Sequence, residues 1–581
     1  MIRNLTRATA IIAVLGLGLA ACEKQLEVSN PNSGDTQKVL ATPTDAENLV
    51  AGYFKRWSTG LYGSITVVDG MTSVMSLMNF SSLANNCLNG RLPFAGADNF
   101  NTAGNVCTAE QLRIYSIENE VQRVASNFLV KADSLDLGST ARKSRDQAFA
   151  EFLRGISLGY IAMFYDSSAV VSPTMDQSAA NCVPDPFTQV CRGALRGYKE
   201  VSDSAMAAFA RAITYTNAPV TGGNGFPIPS TWIPSNTNYT APEFVKLIRS
   251  YRARIRANIA RTPAERAAVD WTSVIADAQN GITSDELVTT SNSTTSGSGM
   301  INSWRAQYDG AGLWHQMPPF IIGMADTSGA YNAWLSTPLT SRGTGNVGFI
   351  MATPDNRFPQ GVGRAAQQAD FAISSCAVAA TVCKRYFVNR PAGSDQFAGA
   401  GWGWSNYDFA RFHSWTTKGD GGTGQLGNTI YFAKTELDML QAEGLYRQGN
   451  YAAAGALVNL SRQANGKLPA ITVFDAVTPV PGGNACVPKV PVGPNFTTAA
   501  CGNLFEALKY EKRIETAYTV IGPWYFDGRG WGDLPQGTAL FWATPNEDIL
   551  ARGKAQASLY GVGVGVGDAP NSSAAKGTYG W

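Results

Sequence analysis

Hydrophobic periodicity changes character twice along this chain, and that change constrains the fold more than any other feature. Between Ala109 and Leu135, apolar residues recur at Ile114, Ile117, Val121, Val124 and Phe128, the stripe of an amphipathic helix. From Ser144 to Tyr165 the stripe is Phe149, Phe152, Leu153, Ile156, Tyr160 and Met163. Further helical patterns cover about 44–57, 196–215, 241–260 and 263–280, with Thr44 and Thr262 as N-caps and Pro43 and Pro263 suited to first turns. A late block, Thr435 to Gln463, reads as two helices with Gly449 at the C′ position of the first. A last helix spans about Asn503 to Tyr518. Between Thr289 and Gly427 the helical period vanishes, Gly, Ser, Thr and Asn dominate, and aromatics are interspersed. A structureless stretch of that length is out of place inside a folded domain unless it is functional. The expectation is therefore a mainly α fold decorated by long loops with short β-strands. Its scaffold covers 41–285 and 431–530, a loop-rich ligand-binding insert covers 286–430, and a tail covers 531–581. The run from Gly561 onward is low-complexity and carries no structural signal.

The N-terminus dictates where such a chain goes. Arg3 and Arg7 precede an apolar run from Ala8 to Ala21 that ends in small residues, a secretory signal too short to span a bilayer. Its end, Leu19-Ala20-Ala21-Cys22, reads as a lipobox. Residues 1–21 are then a signal peptide that is removed, and Cys22 is the lipidated new N-terminus. Each buried CH₂ contributes about 0.8 kcal/mol, so two or three acyl chains anchor the protein durably. Residues 22–40 are mostly polar and read as anchor and tether.

Composition limits the partners. The precursor has 46 basic and 44 acidic side chains, and loss of Arg3 and Arg7 leaves 44 against 44. A neutral chain without a basic run gives no reason to expect nucleic acid. Besides Cys22 there are eight cysteines, falling into close pairs at Cys87 and Cys107, Cys182 and Cys191, Cys376 and Cys383, and Cys486 and Cys501. Eight cysteines allow about a hundred connectivities, and proximity in Gly-, Asn- or Pro-rich stretches favours these local pairs. Export to an oxidising compartment favours disulfides over thiols. A zinc site is not expected, because no C-x-x-C occurs and His315 and His413 are the only histidines.

The usual catalytic constellations do not stand out. There is no H-E-x-x-H, and the G-x-S-x-G match at Gly155–Gly159 falls inside the helical stripe from Ser144 to Tyr165, not on a strand-to-helix turn. Two G-x-G-x-x-G matches, at Gly343–Gly348 and Gly422–Gly427, do not lie between a strand and a helix. Glu436, Asp438 and Glu443 share one helical segment and read as hairpin and surface carboxylates. The expectation is a protein that needs no cofactor or metal and catalyses nothing. The alternative is a lipoprotein hydrolase acting on polysaccharide, which requires two carboxylates about 5–9 Å apart.

Three stretches, in this order, resemble the SusD/RagB-like family of outer-membrane nutrient-binding lipoproteins. The first is Cys22 followed by Leu26-Glu27-Val28-Ser29-Asn30-Pro31-Asn32. The second, Ala442 to Ala454, is similar to a tetratricopeptide hairpin, in which small residues let paired helices approach closely. The third is Lys512-Arg513-Ile514-Glu515 followed by Trp524 to Leu534, similar to a closing motif of a basic–acidic helix running into aromatic-Asp-x-x-Arg-Trp-Gly. It departs from that motif at Ile521, at Trp524, and at Gly530, which separates Arg529 from Trp531. The resemblance implies a tetratricopeptide-like scaffold of about eight helices and an outer-membrane, lipid-anchored location, facing the exterior. It also implies a TonB-dependent transporter of the SusC type as partner, and a glycan or peptide as ligand, with glycan favoured.

Capture of a neutral polar polymer calls for rigid aromatic plates and hydroxyl-bonding groups, and large rings supply contact area at low entropic cost. Loops on a rigid scaffold usually carry such residues. The expected platform is Trp304, Tyr308, Trp314, Tyr331 and Trp334, with Trp402, Trp404 and Tyr407 beside it. The fallback is the Cys87–Cys107 loop, with Arg91, Phe94 and Phe100.

Overall fold

Local signals start most of the helices. The computed structural model describes residues 42–62, 68–81, 101, 108–172, 193–220, 225–235, 237–291, 300–301, 315–342, 349–372, 383–390, 405–411, 426–552 and 576–581. The chain divides into two units, Met1–Leu49 and Val50–Trp581. Helix α1 (Pro43–Ala51) opens with a proline and is capped by Thr42, whose hydroxyl oxygen accepts from Asp45 N at 3.2 Å. Thr44, expected as the cap, lies one residue inside the helix. The expected 44–57 helix is in fact α1 followed by α2 (Tyr53–Tyr62), and α3 (Val68–Met75) was not foreseen.

The long helices follow the periodic stripes. They are α4 (Thr108–Ala132), α5 (Thr140–Phe164), α6 (Tyr198–Thr216) and α7 (Ala241–Asn258). Ser139 caps α5 by accepting from Arg142 N. At the start of α7, Glu243 reaches back to accept from the Thr240 backbone N–H at 2.8 Å. The expected 263–280 helix breaks into α8 (Pro263–Ala267), capped by Thr262, and α9 (Trp271–Gln279), capped by Asp270. An Asp accepting from Ser273 N starts a new helix more readily than it continues one. Short helices α10 (Pro319–Ile322), α11 (Ala330–Ser336) and α12 (Arg364–Asp370) lie in the insert. The late block forms α13 (Lys434–Arg447) and α14 (Tyr451–Ala464) as expected, with Gly449 at φ +79°. Then come α15 (Leu504–Thr516), α16 (Pro523–Trp531) and α17 (Asn546–Ala551).

The chain is thus mainly helical, and its packing is layered. Helix α4 packs on α5, α5 on α6, α6 on α7, α7 on α9, α9 on α13, and α13 on both α14 and α15. The long helices up to α7 each meet the next in the chain, and α9 then meets α13 across the insert. Small residues permit the close approaches. A Cβ on Gly155 would lie 2.5 Å from the Phe209 ring, and one on Gly159 would lie 2.3 Å from Ile255 Cδ1. In the late hairpin, a Cβ on Gly444 would stand 2.7 Å from Ile275.

The insert leaves and re-enters the scaffold through paired strands. Strand β1 (Glu286–Ser291) pairs antiparallel with β5 (Leu426–Phe432) and parallel with β2 (Met300–Ile301). Within the insert, β3 (Phe387–Asn389) pairs with β4 (Tyr407–Phe409). This part is anchored to α15 by buried charge. Arg357 bonds Asp355 at 2.7 Å, Glu511 at 2.7 Å and Glu515 at 3.0 Å. Phe358 stacks on Phe387 at 4.3 Å.

Similar networks bind the scaffold. Arg254 forks onto Glu436 at 2.7 and 2.7 Å, and Arg266 forks onto Glu443 at 2.9 and 2.6 Å and reaches Asp527 at 3.0 Å. Glu436 and Glu443 are therefore buried, not surface, carboxylates. They sit on the packed face of α13, where the partner arginines arrive from helices too distant in sequence to be read as neighbours.

Candidate functional site

Three of the eight expected platform rings fall among the described residues, and all three are packed inside. Tyr331 is 2% exposed, Trp334 8% and Tyr407 0%. Tyr331 donates to the Phe320 carbonyl and lies over Gly323, where a Cβ would meet its ring at 2.3 Å. Trp334 stands edge-on to Phe320 at 4.8 Å and carries the Arg342 guanidinium on its face at 4.2 Å. The Tyr407 hydroxyl sits 2.8 Å from Gln367 Oε1 and accepts from Met351 N at 3.1 Å, and burial pushes it up to about 12. Sealed rings present no plate to a ligand, so these residues build the insert rather than its binding face. Trp304, Tyr308, Trp314, Trp402 and Trp404 lie outside the described residues, as do Arg91, Phe94, Phe100 and Cys22.

The disulfide expectation is met at one pair. Cys486 and Cys501 are bonded, with Cα atoms 5.8 Å apart. Cys383 is also disulfide-bonded, and Cys376, Cys87, Cys107, Cys182 and Cys191 lie outside the described residues. The 486–501 bridge closes the hairpin of β6 (Lys489–Val492) and β7 (Thr498–Cys501). That hairpin docks on α11, where Ala499 N donates to Asn332 Oδ1 at 2.8 Å.

Docking the stapled hairpin on the insert leaves a groove of about 680 Å³, within the range of small-ligand sites. One wall is the end of α11 and the turn after it, with Ser336, Thr337 and Arg342. The opposite wall is the hairpin tip, with Asn495, Phe496 and Thr497. Gln536 and the chain end, Lys576, Tyr579 and Trp581, complete it. The final residues are therefore folded, contrary to the reading of the tail as uninformative. A Tyr-Gly-Trp ending after a Gly- and Ser-rich stretch was the available sign.

The chain end is held firmly. Thr578 N donates to Gly532 O at 2.9 Å and Gly577 N to Trp581 O at 2.7 Å. The Tyr579 hydroxyl donates to Glu506, and its ring lies over Lys509 Nζ at 4.6 Å. Burial pushes the phenol well above its ordinary value, with Asp533 and Glu506 adding to it. Beneath, burial disfavours the Asp533 carboxylate, but Lys509 and Arg513 outweigh it and hold the group below its ordinary value. Trp581 stands edge-on to Phe320 at 5.0 Å. The groove thus sets the half-buried Phe496 ring, hydroxyl and amide side chains and two cations on walls that the buried Tyr579 and Trp581 rings support. A second groove of about 570 Å³, at Tyr198, Lys199 and Glu265, differs in that its charges are largely consumed within the protein. There Glu265 takes the Tyr198 hydroxyl and lies 3.6 Å from Lys199.

The closing motif forms no site. Lys512 pairs with Asp527 at 2.7 Å and Arg513 with Asp533 at 2.6 Å, while Arg529 bonds the carbonyls of Leu540 and Asn258. Trp524 Nε1 donates to Arg513 O and Trp531 Nε1 to Glu443. All are buried, and the motif clamps α15 and α16 to the scaffold. Among the described residues, no group of three or more His, Cys, Asp or Glu is placed to hold a metal ion, and no helix is long and apolar enough to cross a membrane.

No family model matches the sequence, and no curated protein matches it. Among solved structures, the chain is similar to a SusD superfamily protein from Bacteroides vulgatus, at 12% identity over 85% of this chain and 89% of that one, with a TM-score of 0.47. It is similar to a SusD homolog from Parabacteroides distasonis, at 12% identity over 87% and 93%, with a TM-score of 0.49. It is also similar to a SusD-like carbohydrate-binding protein from Bacteroides fragilis, at 14% identity over 85% and 87%, with a TM-score of 0.48.

Proposed function

We propose that this chain is a SusD/RagB-like lipoprotein of the outer membrane that captures glycan, or peptide, at the cell surface and hands it to a TonB-dependent SusC-type transporter. The observation that carries this reading is the way two separate stretches of the resemblance come together. Met439, Ala442, Ala454 and Val458 of the late hairpin share one core with Leu504, Ala507 and Leu508 of α15 and Trp531 of α16. Arg266, Glu443 and Trp531 lock that core. The lipobox at Cys22 supports the anchor, and the groove supports capture. The half-buried ring of Phe496 suits the apolar face of a sugar, and Ser336, Thr337, Asn495 and Gln536 suit its hydroxyls. In this reading the protein binds and does no chemistry.

Mild-detergent purification of the tagged lipoprotein is expected to bring a TonB-dependent barrel with it, and recovery of no barrel would overturn the delivery step. Cys22→Ser is expected to release the protein from membranes, and its retention after a high-salt wash would overturn the anchor.

A further inference from the structure

The groove between α11, the stapled hairpin and the chain end is rich in hydrogen-bond donors and poor in negative charge. No Asp or Glu is among its described lining residues, while Arg342 and Lys576 both line it. Arg342 is fixed in place: Nε donates to Thr337 O at 2.7 Å, Nη2 to Leu335 O at 2.9 Å, and the plane lies on Trp334. It pairs with no carboxylate among the described residues. Arg254, Arg266, Arg357 and Arg513, by contrast, each fork onto or bond an acid. Burial lowers the pKa of Arg342, and Tyr331 is the one group that offsets this. Lys576 makes no ion pair among the described residues and is exposed.

We infer that this groove recognises an acidic oligosaccharide, its Arg342 and Lys576 pairing with the carboxylate of a uronic acid unit while the half-buried Phe496 ring covers a sugar face. This rests on the capture reading and narrows it to a ligand class. With Nε and one Nη2 N–H on backbone carbonyls, Arg342 keeps its Nη1 N–H groups and the second Nη2 N–H for a carboxylate. The Lys576 ammonium, on an exposed stem, adds a point charge that salt screens.

The test uses the full mature chain with Cys22→Ser, so that it is soluble, and calorimetric titration with three probes: trigalacturonate, its methyl ester, and maltotriose. The expected result is that trigalacturonate binds at least tenfold more tightly than its ester. Arg342→Gln should remove most of that difference, Lys576→Gln should weaken the acid several-fold, and added salt should weaken the acid alone. Lys576 is exposed and makes no ion pair, so its substitution reports on binding even where Arg342→Gln perturbs the turn. Equal binding of acid and ester, or an acid affinity unchanged in Lys576→Gln, overturns anion recognition and leaves glycan capture standing. Binding of maltotriose alone does the same. Binding of none of the three overturns glycan capture together with it.

Discussion

Replacing Arg266 with Met should be among the most damaging single substitutions in the scaffold. Every guanidinium donor of Arg266 is used: on Glu443 twice, on Asp527, on Ala257 O and on Asn258 Oδ1. The side chain is fully buried. Removing it leaves Glu443 with Arg447 and Trp531, and Asp527 with Lys512. Breaking a buried pair from one side costs about 3–5 kcal/mol. Titration gives a second measure. Burial opposes ionisation of Glu443, yet Arg266 first, then Arg447 and Lys512, hold it at about 2 against an ordinary 4.5. At about 1.4 kcal/mol per pH unit, that separation is on the order of 3 kcal/mol. The folded value is depressed, so this stability is present above about pH 4.5 and is lost as pH falls toward 2. Urea unfolding of the soluble Cys22→Ser form should show Arg266→Met losing 3–5 kcal/mol at pH 7, with less difference from the parent near pH 3. A loss below about 1 kcal/mol, or an equal loss at both pH values, would refute the argument.

Glu118 should behave in the opposite sense. Both carboxylate oxygens are buried without a hydrogen-bond partner among the described residues, and burial raises its pKa well above the ordinary value. The folded state therefore binds a proton more tightly than the unfolded chain, and stability falls as pH rises above about 4.5. Glu118→Gln should raise the melting temperature at pH 8 more than at pH 4, and a uniform change would defeat this. Gly159→Ala should cost about 1–3 kcal/mol by overpacking, since its Cβ would meet Ile255 at 2.3 Å; unchanged melting would show that α5 and α7 can separate freely. Cys486→Ser with Cys501→Ser opens a loop of sequence separation 15, worth about 3 kcal/mol in the chain-entropy model. Ligand affinity in the groove should fall with it, because the hairpin carries Phe496. Full affinity in the double variant would separate the hairpin from the site.

The sequence by itself determined the elements whose cause is local. Apolar stripes at helical spacing placed α4 to α7, α13, α14 and α15 within a few residues, and Thr262, Pro263 and Gly449 marked ends correctly. The close pairing of Cys486 with Cys501 was legible in the same way. Tertiary structure decided what distant residues do to one another. Nothing local shows that Glu443 meets Arg266, or that Arg357 meets Glu511, across more than a hundred residues of chain. Exposure was equally hidden. Tyr331, Trp334 and Tyr407 lie in the aromatic-rich insert, but packing against Phe320, Phe349 and Phe358 turns them inward. The groove needed the fold to exist at all. It joins α11, a hairpin far along the chain and the last residues, and only their docking sets Phe496, Tyr579 and Trp581 beside Arg342. Burial of a ring depends on what the rest of the chain brings to its face, and periodicity carries no record of that.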